Sequence, residues 1–189
     1  MLSLRLFIAI EIPADIRSQI ADVEKELKSA NADVRWEQSD KLHITLKFLG
    51  DTEEAKLLQV VSSLEEIALM TQRFTIKYST LGCFPHKREP RIIWIGVEDL
   101  DSTLQPLAES VESSMASLGF EKEQKKFHAH ATIGRVKSQR NVRDLLRRME
   151  SLTFESQPTT ISEIVLLKSE LKQRGSVYTR IKSFTLHAY

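Results

Sequence analysis

The chain has 189 residues, of which 41% are hydrophobic and 28% are charged, and its formal net charge is +1. This is the composition of a folded globular protein, and it excludes a disordered or collagenous chain. The apolar run over residues 6–10 is too short for a signal peptide, and no segment is long enough to span a membrane. We therefore expect a soluble, cytoplasmic protein. Cys83 is the one cysteine, so no internal disulfide can form, and we expect this side chain in the core.

Hydrophobic periodicity divides the chain into alternating strands and helices. In the first part of the chain it predicts strands at 4–12 and 42–49, and helices from 14 to about 31 and over 52–70. Further on it predicts strands at 74–81, 91–97 and 129–136, a loop over 82–90, helices at 101–118 and 141–149, and a hairpin of 161–167 with 177–187. The two blocks follow a similar plan. This indicates an α+β protein with two related lobes that face each other.

The positive charge is concentrated in two stretches. Residues 121–148 contain nine Lys or Arg and three acids, and residues 165–189 contain five and one. Such an imbalance indicates a local anionic ligand rather than a protein that is basic all over. Solvated helix faces and a charged tail would give the same pattern, and charge runs alone favour that simpler interpretation.

The strand predicted at 42–49 carries the triplet His43-Ile44-Thr45. Successive side chains on a strand point to opposite faces. One face is then apolar, with Leu42, Ile44, Leu46 and Phe48, whereas the other is polar, with His43, Thr45 and Lys47. We expect the apolar face to pack on helices and the polar face to present an imidazole, a hydroxyl and an ammonium group. Whether Lys47 contacts a phosphate remains open, and the two possibilities are equally favoured.

The strand predicted at 129–136 carries a second triplet, His130-Ala131-Thr132. The same alternation places His130, Thr132 and His128 on one face. Arg135 is out of phase with that face and can join it only where the strand ends or bends after Gly134. One His-x-Thr triplet is a weak signal, but two on alternating strands are more specific. The structural alternative is a pair of half-buried strand histidines, each bonded to a neighbour.

Two facing histidines suit phosphodiester cleavage by proton transfer. One histidine must be neutral to take a proton from water, and the other must be protonated to supply one to the departing oxygen. Both states coexist near neutral pH because the reference pKa of histidine is about 6.5. Threonine hydroxyls can donate to phosphate oxygens, and an arginine can neutralise their charge by a bidentate contact.

The chain resembles the two-histidine phosphoesterase superfamily, and closely its RNA 2′,3′-cyclic phosphodiesterase branch, the 2′-5′ RNA ligase family. The resemblance covers nearly the whole length. It rests on the segments 5–10, Trp36, 43–50, 82–85, 90–94 and 130–135, and on the region from 167 to Tyr178. One departure is Ala129, where the family often has proline before the second histidine.

The resemblance implies one domain over residues 1–189, with an α+β fold of two pseudo-symmetric lobes. Each lobe is an antiparallel sheet with helices packed outside, and a central catalytic groove lies between them. It implies hydrolysis of RNA 2′,3′-cyclic phosphate ends to 2′-phosphomonoesters, and reversible 2′-5′ RNA ligation. His43 would be the proton donor and His130 the base, and Thr45, Thr132 and Arg135 would hold the phosphate. It implies no metal. We expect no cofactor, a monomer, and RNA partners that include tRNA fragments.

Two other functions remain open. His43, His128 and His130 could form a zinc site, which would make the protein a zinc-dependent hydrolase. Alternatively, the groove could bind RNA ends without turnover. Among the remaining residues, Trp36 and Tyr178 could stack on a base, whereas Phe48 and Trp94 are expected in the core. His86 is expected in an exposed loop, and His187 is expected to be structural.

Overall fold

Nine strands form one sheet in the computed structural model, which describes residues 3–173 and 175–188. The strands are β1 (Ser3–Glu11), β2 (Val34–Trp36), β3 (His43–Glu53), β4 (Phe74–Phe84), β5 (Ile92–Asp99), β6 (His130–Val136), β7 (Thr159–Ile161), β8 (Glu163–Lys172) and β9 (Gly175–Thr185). The helices are α1 (Ala14–Lys28), α2 (Leu57–Met70), α3 (Leu104–Ser117) and α4 (Val142–Ser151).

The strand order is β7-β4-β5-β6-β3-β1-β8-β9, and β2 pairs with β6 beside this path. Every pair of named strands is antiparallel. β3 and β6 are joined through one residue pair, Ile44 with Ala131. This narrow joint separates one lobe, made of β1, β3, β8 and β9, from the other, made of β2 and β4–β7. The predicted α+β fold of two lobes is confirmed.

The main core lies between one face of the sheet and the helices, where α1 packs against α4 and α2 against α3. Ile20, Leu64 and Val111 from the helices are fully buried there, as are Ile44 and Ala131 from the sheet. The predicted apolar stripes and the predicted apolar strand faces therefore meet in this layer. Within the part of the chain that the structure describes, the helices are all too short or too polar to cross a bilayer.

A second, smaller apolar cluster lies on the opposite face of the sheet. Phe7, Ala9, Val165 and Leu167 are buried there, and Tyr178 packs against them. This face belongs to strands β1, β8 and β9, and the helices that the structure describes pack on the other face of the sheet. It forms the floor of the space between the two lobes, so apolar side chains underlie the functional groups described below.

Several element boundaries differ from those predicted. The helix expected from Thr52 begins at Leu57, because β3 continues through Gly50 (φ +67°) to Glu53 and a short 3-10 turn follows. The helix expected from Asp101 begins at Leu104, where the Asp99 carboxylate accepts the Leu104 backbone N–H at 2.8 Å. β4 extends to Phe84 because its ladder with β5 continues to that residue, so the predicted loop is shorter.

Candidate active site

One cleft between the lobes is lined by all five residues that the sequence singled out as a site. His43 and Thr45 reach it from β3, and His130, Thr132 and Arg135 reach it from β6. Its volume is about 510 Å³. The rest of its lining combines charged, polar and apolar residues: Arg5, Leu6, Phe7, Arg35, Glu37, Lys41, Phe48, Gly50, Ile92, Ser169, Leu171, Ser176 and Tyr178. The alternation that grouped His43 with Thr45 and His130 with Thr132 therefore agrees with their positions in this cleft.

The strand register explains why the two triplets meet. Ile44 and Ala131, the central residues of the triplets, are the one pair that joins β3 to β6. Because the strands are antiparallel, His43 lies across from Thr132, and Thr45 lies across from His130. Both central side chains point into the core and are fully buried. The two histidines and the two threonines therefore lie on the cleft face in a crossed arrangement with approximate twofold symmetry.

Each triplet histidine is bonded to the main chain in the same way. The His43 Nδ1 lies 2.7 Å from the carbonyl oxygen of Lys41, and the His130 Nδ1 lies 2.6 Å from the carbonyl oxygen of His128. A carbonyl oxygen only accepts, so Nδ1 carries the hydrogen in both rings. The Nε2 of each ring is then an acceptor when the imidazole is neutral and a donor when it is protonated. Both rings are thus set to exchange a proton through Nε2.

Aromatic rings surround both histidines. Phe7 and Tyr178 lie with their ring centres 5.0 and 5.4 Å from His43, and Phe84 lies 5.1 Å from His130. Burial among these rings disfavours the charged imidazolium and lowers the pKa of both histidines below the ordinary value of 6.5. The bonds to the Lys41 and His128 carbonyls oppose this effect without cancelling it. Both rings are therefore mainly neutral at pH 7 in the free protein.

Lys47 does not reach the cleft, and the prediction that it shares the His43 face was wrong. Opposite β1, Ile8 pairs with Lys47 and Ala9 with Thr45, so Leu46 is an extra residue in β3. Such a bulge reverses the alternation that follows it. Lys47 is 1% exposed, and its Nζ donates to Glu112 at 2.8 Å and to the Glu121 carbonyl at 2.9 Å on the helix side of the sheet.

The same bulge corrects the interpretation of Phe48. This residue was expected in the core, but it is 60% exposed and lines the cleft. Its ring centre lies 5.9 Å from that of Phe7. The extra residue Leu46 comes before Phe48 in β3. The Phe48 side chain therefore takes the cleft face, which strict alternation had assigned to Lys47. The exposed ring therefore lies beside the His43 end of the cleft.

Arg135 joins the cleft face through an equivalent irregularity in β6. Ile93 of β5 pairs with Gly134, and Trp94 pairs with Thr132, which leaves Ile133 as an extra residue. This extra residue reverses the alternation of side chains, so Arg135 lies on the same face as His130. The sequence allowed this position if the strand bent after Gly134. Phe48 and Arg135 thus stand five residues after their respective histidines, beyond bulges that occupy equivalent positions.

Glu37 is a cleft residue that the sequence interpretation missed. Its Oε1 accepts the Arg135 Nε–H at 3.1 Å, and its side chain is 21% exposed. Its carboxylate also opposes the lowering of the His43 pKa. Glu37 directly follows β2, a three-residue strand too short to recognise from periodicity. The one available signal for a functional Glu37 was its position directly after Trp36, which is among the residues that carry the family resemblance.

The three histidines proposed for zinc do not form a metal site. Across residues 3–173 and 175–188, no three His, Cys, Asp or Glu side chains are grouped so that they could hold an ion. His128 is exposed, and its ring packs against Phe84 and against Trp94, with centres 5.3 and 5.0 Å away. It therefore covers the aromatic wall beside His130.

The remaining aromatic and histidine residues are distributed as follows. Trp94 is partly buried between Phe84 and the His130 strand, and its ring crosses Gly82 so closely that a Cβ there would lie 2.1 Å from it. Trp94 is thus a packing residue of the aromatic wall beside His130, and the expectation that it lies in the core was wrong, because Ile93 and Ile95 on either side take the core face of β5.

Trp36 packs over Gly134, and Cys83 packs at the edge of the core. His86 is exposed in the β4–β5 loop, and His187 is exposed beyond β9.

Comparison with known proteins gives a consistent result. A family model for LigT-like phosphoesterases matches the chain twice, over residues 10–94 and 95–178. The RNA 2′,3′-cyclic phosphodiesterases of Methanothermobacter thermautotrophicus and Archaeoglobus fulgidus are 33% and 35% identical to it. These alignments cover 98% and 96% of this chain and 100% and 99% of the two relatives.

Solved structures share the fold over the same extent. Escherichia coli LigT complexed with 3′-AMP superimposes with a TM-score of 0.79 at 25% identity, over 98% of this chain and 99% of that one. A protein of Thermus thermophilus superimposes with a TM-score of 0.83 at 23% identity, with the same coverage. The fold and the doubled family match define the class, a two-lobed phosphoesterase. The chain belongs to the LigT-like phosphoesterase family.

Proposed function

We propose that this protein hydrolyses 2′,3′-cyclic phosphate ends of RNA to 2′-phosphomonoesters. The observation that carries the proposal is the pair of His-x-Thr triplets that face one cleft with identically oriented imidazoles. Relatives that align over almost the full chain are RNA 2′,3′-cyclic phosphodiesterases, which supports this substrate. The arrangement can exchange two protons at a phosphate held between the lobes, which is the chemistry that ring opening needs.

The reaction takes one water and two proton transfers. The Nε2 of neutral His130 accepts a proton from water as the water oxygen attacks phosphorus. The bond from phosphorus to the 3′ oxygen breaks, and the Nε2–H of protonated His43 passes to that oxygen. The products are a free 3′ hydroxyl and a 2′-phosphomonoester. If the 5′ hydroxyl of a second RNA takes the place of water, His130 accepts its proton, His43 protonates the departing 3′ oxygen, and the same site joins the two RNAs through a 2′-5′ phosphodiester.

Three residues are assigned to the phosphate. The Thr45 and Thr132 hydroxyls donate to its non-bridging oxygens from opposite lobes. Arg135 is bonded through Nε to Glu37, which leaves its two terminal amino groups for a bidentate contact. A guanidinium held in this way needs no large reorganisation when charge accumulates on the phosphate during attack. The chain's own residues thus supply the donors for both non-bridging oxygens.

The negative charge of the substrate favours the protonated form of His43, which takes its proton from solvent. In the free protein, burial lowers the pKa of both histidines, so the doubly neutral state dominates at pH 7. A bound phosphodiester anion favours imidazolium on whichever ring is closest to it, because opposite charges attract strongly in a partly buried cleft. Binding of the anion therefore produces the one-neutral, one-charged pair that the reaction requires.

We also propose a setting for this activity. The natural substrates include tRNA fragments with cyclic phosphate ends, and the protein acts as a monomer in the cytoplasm. A cleft formed entirely within one chain supports the monomer, because both triplets and Arg135 come from the same molecule. The single cysteine is compatible with a reducing compartment.

Product analysis tests this proposal. The purified protein is incubated with an RNA that ends in a 2′,3′-cyclic phosphate, with and without EDTA. We expect a 2′-phosphomonoester at equal rates in both. A 3′-phosphomonoester would reverse the assigned bond cleavage, and loss of activity in EDTA with recovery on zinc addition would contradict the metal-free mechanism. Tight binding without turnover between pH 5 and 9 would identify an RNA-end binding module instead.

A further inference from the structure

The residues around α4 form a basic surface outside the cleft. We call it the α4 surface: Lys87, Arg88, Arg91, Lys137, Arg140, Arg143, Arg147 and Arg148. All eight side chains belong to exposed residues. The acids among them are Glu89, Asp144 and Glu150, so the surface has an excess of positive charge although the whole chain is nearly neutral. Concentrated positive charge of this kind attracts polyanions.

The surface is built around a concavity rather than a flat helix face. The β4–β5 loop and the first turns of α4 enclose a cleft of about 740 Å³, lined by Lys87, Arg88, Arg143 and Arg147 among others. The Lys87 Nζ lies 2.6 Å from Glu150, which ties the loop to α4. The loop and the helix thus present their cations to the same space.

Several of these cations have no acidic partner within the part of the chain that the structure describes. Arg147 pairs with Asp144, and Arg91 pairs with Glu89. Arg88, Arg140, Arg143 and Arg148 form no salt bridge to any described residue. An unpaired arginine keeps its full donor fork available, and that fork matches the geometry of a phosphate.

Strand β6 connects the candidate active site to the segment that leads into α4. Arg35 and Arg135 are paired across β2 and β6, and both line the cleft. The next residue of β6, Val136, donates its N–H to the Arg91 carbonyl at 3.0 Å, and Lys137 follows. From Thr132 to Lys137 the chain advances about 16 Å at the usual rise of a strand. Arg135, Lys137 and Arg140 therefore follow one another along the chain between the phosphate site and α4.

We propose that the α4 surface binds the phosphate backbone of the RNA strand whose cyclic end occupies the cleft. This inference rests on the proposed function and adds a second contact region to it. A chain segment of this length exceeds one nucleotide, so a substrate that reaches from the cleft to the α4 surface must be a short single strand of several nucleotides. Backbone contacts give affinity without reading sequence, so the surface selects for RNA length rather than for particular bases.

The test compares two substrates. In the double variant Arg88→Gln/Arg143→Gln, we expect kcat/KM for a single-stranded RNA of about ten nucleotides with a cyclic end to fall about tenfold at low salt. The dependence of log kcat/KM on log salt should become shallower by about 1.4, because two phosphate contacts to a single strand are lost and each contributes about 0.7. Hydrolysis of a 2′,3′-cyclic mononucleotide should be unchanged, because that substrate does not reach α4. Binding is followed by fluorescence anisotropy with the same RNA ending in a 2′-phosphate, which is the product and is not hydrolysed, and this binding should weaken by a similar factor.

The matched control is Lys25→Gln/Lys122→Gln. Both lysines are exposed, Lys25 lies on α1, and Lys122 follows Glu121 on the helix side of the sheet. This control should bind and cleave the RNA as the unaltered protein does. Unchanged RNA binding in the α4 variant, or an equal loss in variant and control, would overturn the inference. Because binding is measured without turnover, the α4 surface is tested even if neither substrate is hydrolysed, a result that would contradict the proposed function alone.

Discussion

Each triplet histidine is fixed at one ring nitrogen and partly desolvated. The backbone carbonyl two residues earlier orients the imidazole, and aromatic neighbours exclude water from it. The two effects act in opposite directions on the pKa, and desolvation is the larger for both His43 and His130. The consequence is a site that is mainly uncharged until an anionic substrate binds.

This arrangement predicts an acidic optimum for kcat/KM, which reports the free protein. The base His130 must be neutral, so activity rises as pH increases through its pKa. The acid His43 must be protonated, so activity falls as pH increases through its own pKa. Since both values are lowered from 6.5, the maximum should lie below pH 6.5 in a bell-shaped profile with a cyclic mononucleotide. A flat profile, or a maximum well above pH 7, would contradict paired proton transfer by these residues.

Glu37 gives a second prediction for single residues, because it contacts Arg135 and raises the pKa of His43. In Glu37→Gln the amide oxygen still accepts from Arg135 but the negative charge is lost. We expect the alkaline limb of the kcat/KM profile to move to lower pH, with KM nearly unchanged. Glu37→Ala also removes the acceptor, and KM should rise about fivefold, as the loss of one hydrogen bond implies.

Glu155→Gln is the matched control for Glu37, since Glu155 pairs with Lys77 at 2.6 Å on the exposed surface. It should change neither KM nor the pH profile. Identical pH profiles for Glu37→Gln and the unaltered protein would show that this carboxylate does not act on His43.

Among the elements, the bulges in β3 and β6 explain where sequence interpretation succeeded and where it failed. Alternation correctly placed His43 with Thr45 and His130 with Thr132, because each triplet precedes the extra residue. It failed at Lys47 and Phe48, which follow the bulge. A bulge depends on pairing with a neighbouring strand, β1 or β5 here, and the local sequence of β3 or β6 does not encode it.

Because the β3 bulge turns Lys47 away from the cleft, substitution of Lys47 tests where this side chain lies. In Lys47→Met the donor to Glu112 and to the Glu121 carbonyl is lost on the helix side of the sheet. We expect the free energy of unfolding to fall by about 2 kcal/mol, the usual order for a hydrogen-bonded charged group. The kcat/KM for a cyclic mononucleotide should change less than about twofold, because Lys47 does not face the cleft.

Lys122→Met is the control for Lys47, since Lys122 is exposed and should contribute little to stability. Denaturant unfolding of the two variants gives the comparison. A large loss of kcat/KM in Lys47→Met at unchanged stability would place this ammonium at the phosphate after all.

At the scale of the whole molecule, the two lobes are not the two halves of the sequence. The C-terminal hairpin β8–β9 pairs with β1, so the chain's end completes the lobe that its beginning started. Periodicity predicted the elements and their repetition, but it carries no information on which distant strand a hairpin joins. For the same reason periodicity did not predict β2, because its three residues form a strand through pairing with β6.

The two-lobed arrangement makes one histidine from each lobe indispensable. His43→Ala and His130→Ala should each lower the rate by about two to four orders of magnitude, the usual effect of losing a general acid or base. His187→Gln is the matched control, because His187 is exposed and lies beyond β9, among residues that line a groove beside α2 and α3.

The most direct measurement is kcat/KM for a 2′,3′-cyclic nucleotide in EDTA, determined for the unaltered protein and for these three variants, with identification of the product. We predict a 2′-phosphomonoester from the unaltered protein and from His187→Gln at equal rates, and severe loss in both His43→Ala and His130→Ala. A near-normal rate in either of these two alanine variants would contradict two-histidine catalysis in this cleft.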